Sequence, residues 1–254
     1  MAIDHKNLPK HVALIMDGNG RWAHSLGMPR VFGHQKGADK VREVVEVAGE
    51  MGISYLTLYA FSTENWSRPQ SEVSALFQLL AAYLKSEIKE LCEKNVRLSS
   101  VGDRHLLPKE CLELIEQGEE QTKGNTGLRL TLALSYGSRS DIVSSCKALA
   151  RKVSLGQMSL DDINEQSISR HLSTCHLPDP DLLIRTSGEQ RISNFLLYES
   201  AYTEFYFCPV HWPDFGKEHF EEAIEEYTRR SRRFGKLSQD ISGQHQSENL
   251  GELC

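Results

Sequence analysis

A run of six residues near the amino terminus combines a carboxylate, two glycines and a cation. It reads Asp17-Gly18-Asn19-Gly20-Arg21-Trp22 and follows the apolar, strand-like stretch His11–Met16. Glycines let a backbone approach a ligand closely and expose N–H groups to an anion. The Asp17 carboxylate is the hard oxygen ligand that a Mg²⁺ ion on phosphate oxygens needs. The run therefore predicts a phosphate cradle beside a metal ligand, with a solvated Asp-Gly turn as the competing interpretation.

Two nucleotide-binding motifs can be excluded for this run. No Gly-Lys-Ser/Thr follows it, so it is not a Walker A loop, and it lacks the third glycine of a dinucleotide fingerprint. The cations Arg21, Arg30 and His34 all lie within one short stretch and can neutralise phosphate charge.

A second cluster of polar and aromatic residues follows the strand-like run Tyr55–Phe61. Its members are Ser62, Thr63, Glu64, Asn65, Trp66 and Arg68. The first three could equally cap a helix, and the tryptophan could be a core residue, so this cluster alone is ambiguous.

A third cluster begins at the end of the run Leu182–Arg185. It reads Arg185-Thr186-Ser187-Gly188-Glu189-Gln190-Arg191-Ile192-Ser193-Asn194-Phe195. Two arginines and several hydroxyls near one glycine predict a second diphosphate site. Glu204 lies in the last strand-like run, where a charge usually protects an edge strand.

Strand-like runs and helical patterns alternate along the chain. The predicted strands are His11–Met16, Tyr55–Phe61, Val96–Val101, Leu128–Tyr136, Leu182–Arg185 and Glu204–Cys208. The predicted helices are Val41–Met51, Ser74–Asn95, Lys109–Thr122, Asp141–Val153 and Glu218–Arg233. This alternation predicts an α/β fold: a single domain with a roughly six-stranded, mostly parallel sheet flanked by helices. Ligands of such sheets bind beyond the carboxyl ends of the strands, where the three clusters fall.

Composition limits the class of protein further. The 254 residues are 39% hydrophobic, which suits one domain over residues 1–235, followed by a polar tail at 236–254 that we expect to be disordered. A net charge of −6 argues against a nucleic-acid partner. The six cysteines contain no CxxC pair and are predicted to be reduced packing residues. No apolar run reaches about 18 residues and the first fifteen residues make a poor signal peptide, so we expect a cytoplasmic protein with at most peripheral membrane contact.

Taken together, the three clusters resemble the cis-prenyltransferase family, also called the undecaprenyl diphosphate synthase family, from about Pro9 to Gly235. The matching segments are His11–Trp22, Gly33–His34, Leu56–Trp66 and Arg185–Glu189. The resemblance implies a six-stranded parallel sheet, an apolar tunnel for a growing chain and a homodimer. It also implies Mg²⁺-dependent, repeated addition of isopentenyl diphosphate to an allylic diphosphate such as farnesyl diphosphate, giving a polyprenyl diphosphate such as undecaprenyl diphosphate, the lipid-carrier precursor of cell-wall glycans. No DDxxD motif of the trans class is present.

The resemblance assigns roles to individual residues. Asp17 would hold magnesium, with Glu204 as a further metal ligand. The amides of Gly18, Asn19, Gly20 and Arg21, with Arg30 and His34, would hold the allylic diphosphate. The residues Arg185, Arg191 and Ser193 would hold isopentenyl diphosphate, and Trp22, Ser62, Thr63, Glu64, Trp66, Arg68 and Ile192 belong to the same substrate-binding set. Asn65 matches a position proposed to assist proton removal, but a neutral amide is a poor base, so we interpret it as an orienting group.

The chain departs from the family pattern at a few positions. Ser135 replaces a common asparagine and Tyr198 a common tryptophan, which affects local packing. Gln190 stands where some relatives carry a histidine metal ligand, so we assign it no metal role. Leu134 is larger than the usual alanine beside the tunnel, which affects the expected product length.

Two other classes of protein compete with this interpretation. A non-catalytic scaffold subunit of a prenyltransferase complex would share the fold, but such subunits tend to lose the metal carboxylate and the phosphate arginines that are present here. A phosphatase would need a nucleophile near the cradle, and the sequence offers no obvious one.

Overall fold

A single parallel sheet organises the protein, and the computed structural model describes it over residues 7–230. Within that range six strands lie in the order β3-β4-β2-β1-β5-β6, and every neighbouring pair is parallel. The strands are β1 (His11–Ile15), β2 (Tyr55–Ser62), β3 (Arg97–Val101), β4 (Arg129–Tyr136), β5 (Leu182–Arg185) and β6 (Glu204–Phe207). The predicted fold class is confirmed.

Helices connect successive strands and cover the sheet. They are α1 (Asn19–Ser25), α2 (Arg30–Glu50), α3 (Gln70–Glu93), α4 (Lys109–Thr122), α5 (Ser138–Ser154), α6 (Glu165–Ser169) and α7 (Lys217–Arg229). None of the helices described within residues 7–230 is long and apolar enough to cross a membrane. The five described cysteines are free thiols.

The central strand β1 is buried on both faces. Val12 and Leu14 belong to the larger core cluster, which includes side chains of α2, α3, α4 and α7. Ala13 and Ile15 point to the opposite face, where they join a smaller core. Alternate burial follows from the two-residue repeat of a strand and explains the unbroken apolar run in the sequence.

Most predicted element boundaries fall within a few residues of the observed ones, with three exceptions. Helices α1 and α6 were not predicted, and α2 begins at Arg30 rather than at Val41. Helix α4 occupies the predicted range. The predicted end of the last helix, at Arg233, and the predicted disordered tail at 236–254 both lie outside the described residues.

Helices α1 and α2 pack closely because α2 carries a glycine at the contact. A β-carbon at Gly33 would lie 1.9 Å from the backbone oxygen of Asn19. Any side chain there would push α2 away from α1, so this close approach requires glycine. The contact holds α1 at the carboxyl end of β1.

Candidate active site

The predicted cradle at 17–22 consists of the last two residues of a short turn that follows β1 and the first four residues of α1. Gly18 has φ 97°, and a β-carbon there would lie 2.6 Å from His211 Nδ1 and 2.7 Å from Ser187 Oγ. Its N–H donates to Asp17 Oδ1 at 2.6 Å. Helix α1 starts at Asn19, and no side chain caps its first turn. The Gly18 N–H is therefore occupied by Asp17, whereas no side chain caps the amides of the first turn of α1, and anion binding by this turn stays a prediction.

Asp17 and Arg185 form the central ion pair of the site. Strands β1 and β5 are neighbours with Ile15 opposite Arg185, so the two clusters meet at one edge of the sheet. Arg185 Nη2 donates to Asp17 Oδ2 at 2.9 Å and Nη1 donates to Ser193 Oγ at 2.7 Å. Burial of the Asp17 carboxyl opposes ionisation, but the hydrogen bond and charge of Arg185 outweigh it and lower the pKa of Asp17. Asp17 is therefore a carboxylate at neutral pH.

Glu189 connects the two predicted diphosphate clusters. It accepts a hydrogen bond from Arg21 Nη1 at 2.7 Å and also pairs with Arg191. Arg21 Nη2 lies 3.1 Å from Asp17 Oδ1 as well. The two predicted diphosphate clusters follow different strands in the sequence, yet their arginines pair with the same carboxylates, Asp17 and Glu189. The two clusters therefore form one charged surface.

A second carboxylate, Glu72, holds Arg30 and Arg68. The distances are 3.4 Å from Arg30 Nε and 3.1 Å from Arg68 Nη1 to Glu72 Oε1. The sequence analysis missed Glu72, although its position four residues after Arg68 at the start of a helix is a detectable signal. We call the five arginines of this region the cationic mouth: Arg21, Arg30, Arg68, Arg185 and Arg191.

The structure corrects the expectation that His34 carries a positive charge. Burial, followed by the positive charge of Arg68, lowers the pKa of His34 to about 4. The imidazole is therefore neutral at pH 7 and does not supply the positive charge that the sequence suggested. Its Nε2 atom is buried and has no hydrogen-bond partner among residues 7–230. A buried polar atom of this kind can serve a ligand.

Two residues of the cluster after β2, Ser62 and Asn65, have a structural role. Ser62 and Asn65 form a reciprocal cap of the short 3₁₀ helix Thr63–Ser67, in which Ser62 N–H donates to Asn65 Oδ1 at 3.1 Å. The capping interpretation therefore holds for this pair. Thr63 donates to Glu64 Oε2 at 3.2 Å, and Asn194 donates to Glu64 Oε1 at 2.8 Å. Asn194 was not predicted, and it ties this cluster to the loop after β5.

Trp66 packs as a core residue. It lies against Phe77, with ring centroids 5.3 Å apart, and its Nε1 donates to Ser135 Oγ at 2.9 Å. Ser135 has φ 49°, a left-handed conformation that asparagine tolerates better than most residues. The serine keeps this strained position and provides the acceptor for Trp66. The Tyr198 hydroxyl donates to the backbone oxygen of Glu165 at 3.1 Å.

Two further predicted substrate-binding residues lie outside the cavity wall. Trp22 stacks on Phe32 at 6.0 Å, and Ile192 packs against the smaller core.

The structure does not bring Glu204 to Asp17 within one chain. Glu204 begins β6 opposite Leu182, which is itself opposite Val12, at the amino ends of the strands. Asp17 lies five residues beyond Val12, about 16 Å further along the strand direction at ~3.3 Å per residue. The Glu204 carboxylate instead accepts from Arg230 Nη1 at 2.8 Å. The expectation that Asp17 and Glu204 of one chain hold the same metal ion is therefore wrong.

An apolar cavity of about 670 Å³ opens beneath the cationic mouth. Polar and charged residues line its upper part, namely Asp17, His34, Asn65, Arg68, Arg185 and Ser193. Aliphatic and aromatic side chains from α2, α3, β2 and β4 line the rest, including Val41, Ala60, Phe77, Leu80, Leu132 and Leu134. The cavity suits an amphiphile with an anionic head and an apolar tail.

A metal cage made by the protein alone is not found in residues 7–230, where no group of three His, Cys, Asp or Glu side chains converges. Asp17 offers one carboxylate at the mouth. Mg²⁺ commonly binds to one or two carboxylates together with substrate phosphates, so this donor set fits an ion that arrives with a diphosphate.

Fold and site together define an α/β protein with a cavity at the carboxyl end of its sheet that suits an anionic amphiphile. Residues 15–235 match the family model described as "Putative undecaprenyl diphosphate synthase". An isoprenyl transferase of Agrobacterium fabrum is 52% identical over 93% of this chain and 96% of its own length. A second, from Staphylococcus haemolyticus, is 50% identical over 94% of this chain and 93% of its own length.

Solved structures agree with the sequence relatives. Lavandulyl diphosphate synthase from Lavandula x intermedia, in complex with dimethylallyl diphosphate, has a TM-score of 0.89 and 39% identity over 91% of this chain and all of that chain. A probable undecaprenyl diphosphate synthase from Campylobacter jejuni has a TM-score of 0.74 and 35% identity over the same shares. The chain belongs to the undecaprenyl diphosphate synthase family of prenyltransferases.

Proposed function

We propose that this protein is a magnesium-dependent cis-prenyltransferase that adds isopentenyl diphosphate repeatedly to an allylic diphosphate, farnesyl diphosphate being the expected primer. The product is a long-chain polyprenyl diphosphate such as undecaprenyl diphosphate. The observation that carries the proposal is the apolar cavity of about 670 Å³ with Asp17 and Arg185 at its mouth. The complex of the Lavandula relative with dimethylallyl diphosphate supports an allylic substrate.

Magnesium would be held by Asp17 together with diphosphate oxygens. When bound, the ion supplies positive charge that stabilises the departing diphosphate. Asp17 is suited to this role because the pKa of its carboxyl is lowered, chiefly by Arg185 against the opposing effect of burial. The ion pair also keeps the carboxylate at the mouth of the cavity before substrate arrives.

The allylic diphosphate would bind near the first turn of α1, Arg30 and His34. Arg30 is 58% exposed and can move toward a ligand, whereas His34 is buried and can donate one N–H as a neutral ring. Isopentenyl diphosphate would bind Arg185, Arg191 and Ser193, which line the other side of the mouth. In this arrangement the carboxylates of Asp17 and Glu189 would lie between the two diphosphates.

The proposed reaction is one carbon–carbon bond formation per cycle. The allylic C–O bond breaks, and the diphosphate leaves with the electron pair. The double bond of isopentenyl diphosphate provides the electrons of the new C–C bond, and loss of a proton restores a double bond in the extended chain. The cationic mouth stabilises negative charge on the leaving group, where preorganised charges have their largest effect.

Proton removal needs an acceptor other than Asn65. The carbonyl of Asn65 accepts the Ser62 N–H at 3.1 Å, and a neutral amide is a weak base. The Asp17 and Glu64 carboxylates are also engaged, by Arg185 and Asn194. We assign the proton to an oxygen of the departing diphosphate, with Asn65 orienting the substrate through its remaining N–H groups.

The apolar part of the cavity is proposed to be the tunnel for the growing chain. Ala60 and Leu134 both line it. Burying one five-carbon unit is worth roughly 3 to 4 kcal/mol at about 0.8 kcal/mol per methylene, so elongation should stop where the cavity ends.

A homodimer is proposed through the exposed edge of β6. Phe205 and Phe207 on this edge strand are only half-buried and stack at 6.1 Å. Leu197 and Tyr202, which precede the strand, are 45% and 72% exposed. An exposed edge strand presents unpaired N–H and C=O groups with which another chain can pair.

The test is incubation with farnesyl diphosphate, labelled isopentenyl diphosphate and Mg²⁺, followed by chromatography of the dephosphorylated products. A ladder of products extended by five-carbon units is expected. No incorporation with farnesyl, geranyl or dimethylallyl diphosphate would instead favour the non-catalytic scaffold.

A further inference from the structure

A patch of apolar side chains, three exposed and two half-buried, lies where α1 turns into α2. We call it the apolar patch, and its residues are Trp22, Leu26, Met28, Val31 and Phe32. Leu26, Met28 and Val31 expose 56%, 41% and 37% of their surface. Trp22 and Phe32 stack beside them with centroids 6.0 Å apart. Single exposed apolar residues are common, but several in one place usually mark a binding surface.

The backbone of this turn is well ordered by its own hydrogen bonds. The N–H groups of Leu26 and Met28 both donate to the Ala23 oxygen, at 3.1 and 2.9 Å, and Gly27 N–H donates to His24 O at 3.0 Å. Gly27 has φ 68°, and a β-carbon there would meet nothing within 4 Å. The turn is therefore held in place while its apolar side chains project into open space.

Arg30 places an exposed positive charge beside the patch although the whole chain carries −6. No Asp or Glu occurs between residues 18 and 38, and the other cations there with known partners are balanced, Arg21 by Asp17 and Glu189 and Lys36 by Asp39. Arg30 shares the single carboxylate of Glu72 with Arg68, so this group of three has one excess positive charge. An exposed cation beside apolar side chains suits an interface of anionic headgroups and acyl chains.

The patch is continuous with the cavity. A groove between α2 and α3 has one set of apolar lining residues and one set of polar ones. The apolar set is Phe32, Ala38, Leu79, Ala82 and Tyr83, and the polar set is Gln35, Lys36, Asp39, Arg42 and Ser86. Ala38, Leu79 and Tyr83 also line the apolar cavity. The same few side chains therefore separate the cavity from a groove that opens beside the patch.

We propose that the apolar patch docks this protein on an anionic lipid bilayer. The groove then faces the bilayer, and it gives an apolar tail a sideways path from the cavity into the membrane. The docking surface is inferred from the exposed residues alone, whereas its use for product release rests on the proposed function. The proposed self-association surface at β6 contains none of the patch residues, so the patch is left for another partner.

Co-sedimentation of the full chain with vesicles tests the proposal without substrate or metal. Vesicles of phosphatidylcholine with about a third phosphatidylglycerol are compared with pure phosphatidylcholine. The protein is expected to bind the anionic vesicles at least tenfold more tightly. The double variant Leu26→Ser/Met28→Ser should lose at least tenfold in this binding, and the matched control Leu155→Ser/Leu160→Ser should not. The control leucines are 63% and 72% exposed, and Asp161 and Asp162 follow them.

Three results would overturn the proposal. They are a parent protein that stays in the supernatant, a double variant that binds as the parent does, and a double variant with an altered sedimentation coefficient, which would show self-association through the patch. Leu26→Trp provides a test that removes no side chain from the turn, and it should bind anionic vesicles more tightly than the parent. Because substrate is absent, failure here leaves the prenyltransferase assay unaffected.

Discussion

The carboxylate of Asp17 and the guanidinium of Arg185 form a 2.9 Å ion pair at the centre of the site. Arg185 is only 4% exposed, and it ends β5 directly beside β1. Asp17 is expected to hold the metal ion and Arg185 a diphosphate. Without these ligands, the ion pair keeps both side chains in position.

Asp17→Ala should lower turnover by at least about a hundredfold, or ~2.7 kcal/mol of transition-state stabilisation, because the metal carboxylate is lost. It should also lower the free energy of unfolding by about 1–2 kcal/mol, since buried Arg185 loses a charged partner that is itself partly exposed. Steady-state rates at saturating Mg²⁺ and urea denaturation measure the two effects. Asp17→Asn keeps the shape of the side chain and should be equally slow; near-parental turnover of either variant would remove Asp17 from the mechanism.

Arg191→Ala should raise the KM for isopentenyl diphosphate more than the KM for the allylic primer. The reason is that Arg191 lines the mouth on the Ser193 side, whereas Arg30 stands with Glu72. Initial rates with each substrate varied in turn provide the measurement, with Arg30→Ala as the opposite case. Because Arg191 also pairs with Glu189, Glu189→Gln controls for loss of that contact alone. Equal KM changes for both substrates would contradict the assignment.

Ala60→Leu should shorten the products and Leu134→Ala should lengthen them. Both side chains line the cavity, Ala60 being exposed in it and Leu134 being 2% exposed to solvent. Chromatography of the dephosphorylated products measures the length distribution. Leu130→Ala is the matched control, since Leu130 lies four residues earlier on β4, is equally buried and does not line the cavity. Each Leu→Ala change should cost about 2–5 kcal/mol of stability, but only that at 134 should change length.

Acidification from pH 7 to 5 should destabilise the protein through His11 and His34. Burial lowers the pKa of each to about 4, below the ordinary histidine pKa of 6.5. Between these values the unfolded state binds more protons, so the free energy of unfolding falls as pH falls, by roughly 1–2 kcal/mol per histidine at pH 5. Urea denaturation at several pH values checks the slope. His34→Gln should make the profile shallower, and a profile parallel to the parent's would refute the role of His34.

Chelation of divalent metal should abolish turnover and leave the melting temperature within a few degrees of its original value. Residues 7–230 contain no three-ligand cluster, so the ion is expected to arrive with diphosphate rather than to hold the fold together. Differential scanning fluorimetry with and without a chelator measures stability, and added Mg²⁺ should restore activity. A large loss of melting temperature would show a structural metal instead.

The amino-acid sequence by itself was sufficient for the sheet, because the inner strands β1, β4 and β5 are buried almost throughout and therefore read as apolar runs between helical patterns. The same reasoning located Asp17 and Arg185 at strand ends. Helix α1 escaped prediction since it has seven residues and begins with Asn19 and Gly20, which have low helix propensity.

Tertiary structure alone decided which charges meet and which residues remain neutral. Glu189 joins Arg21 to Arg191 across 170 residues of chain, and no local pattern encodes that contact. His34 loses its charge because neighbouring elements bury it beside Arg68, and Glu204 is kept from Asp17 by strand register. Side-chain type and periodicity report what a residue can do, whereas burial, register and long-range pairing depend on how distant segments pack.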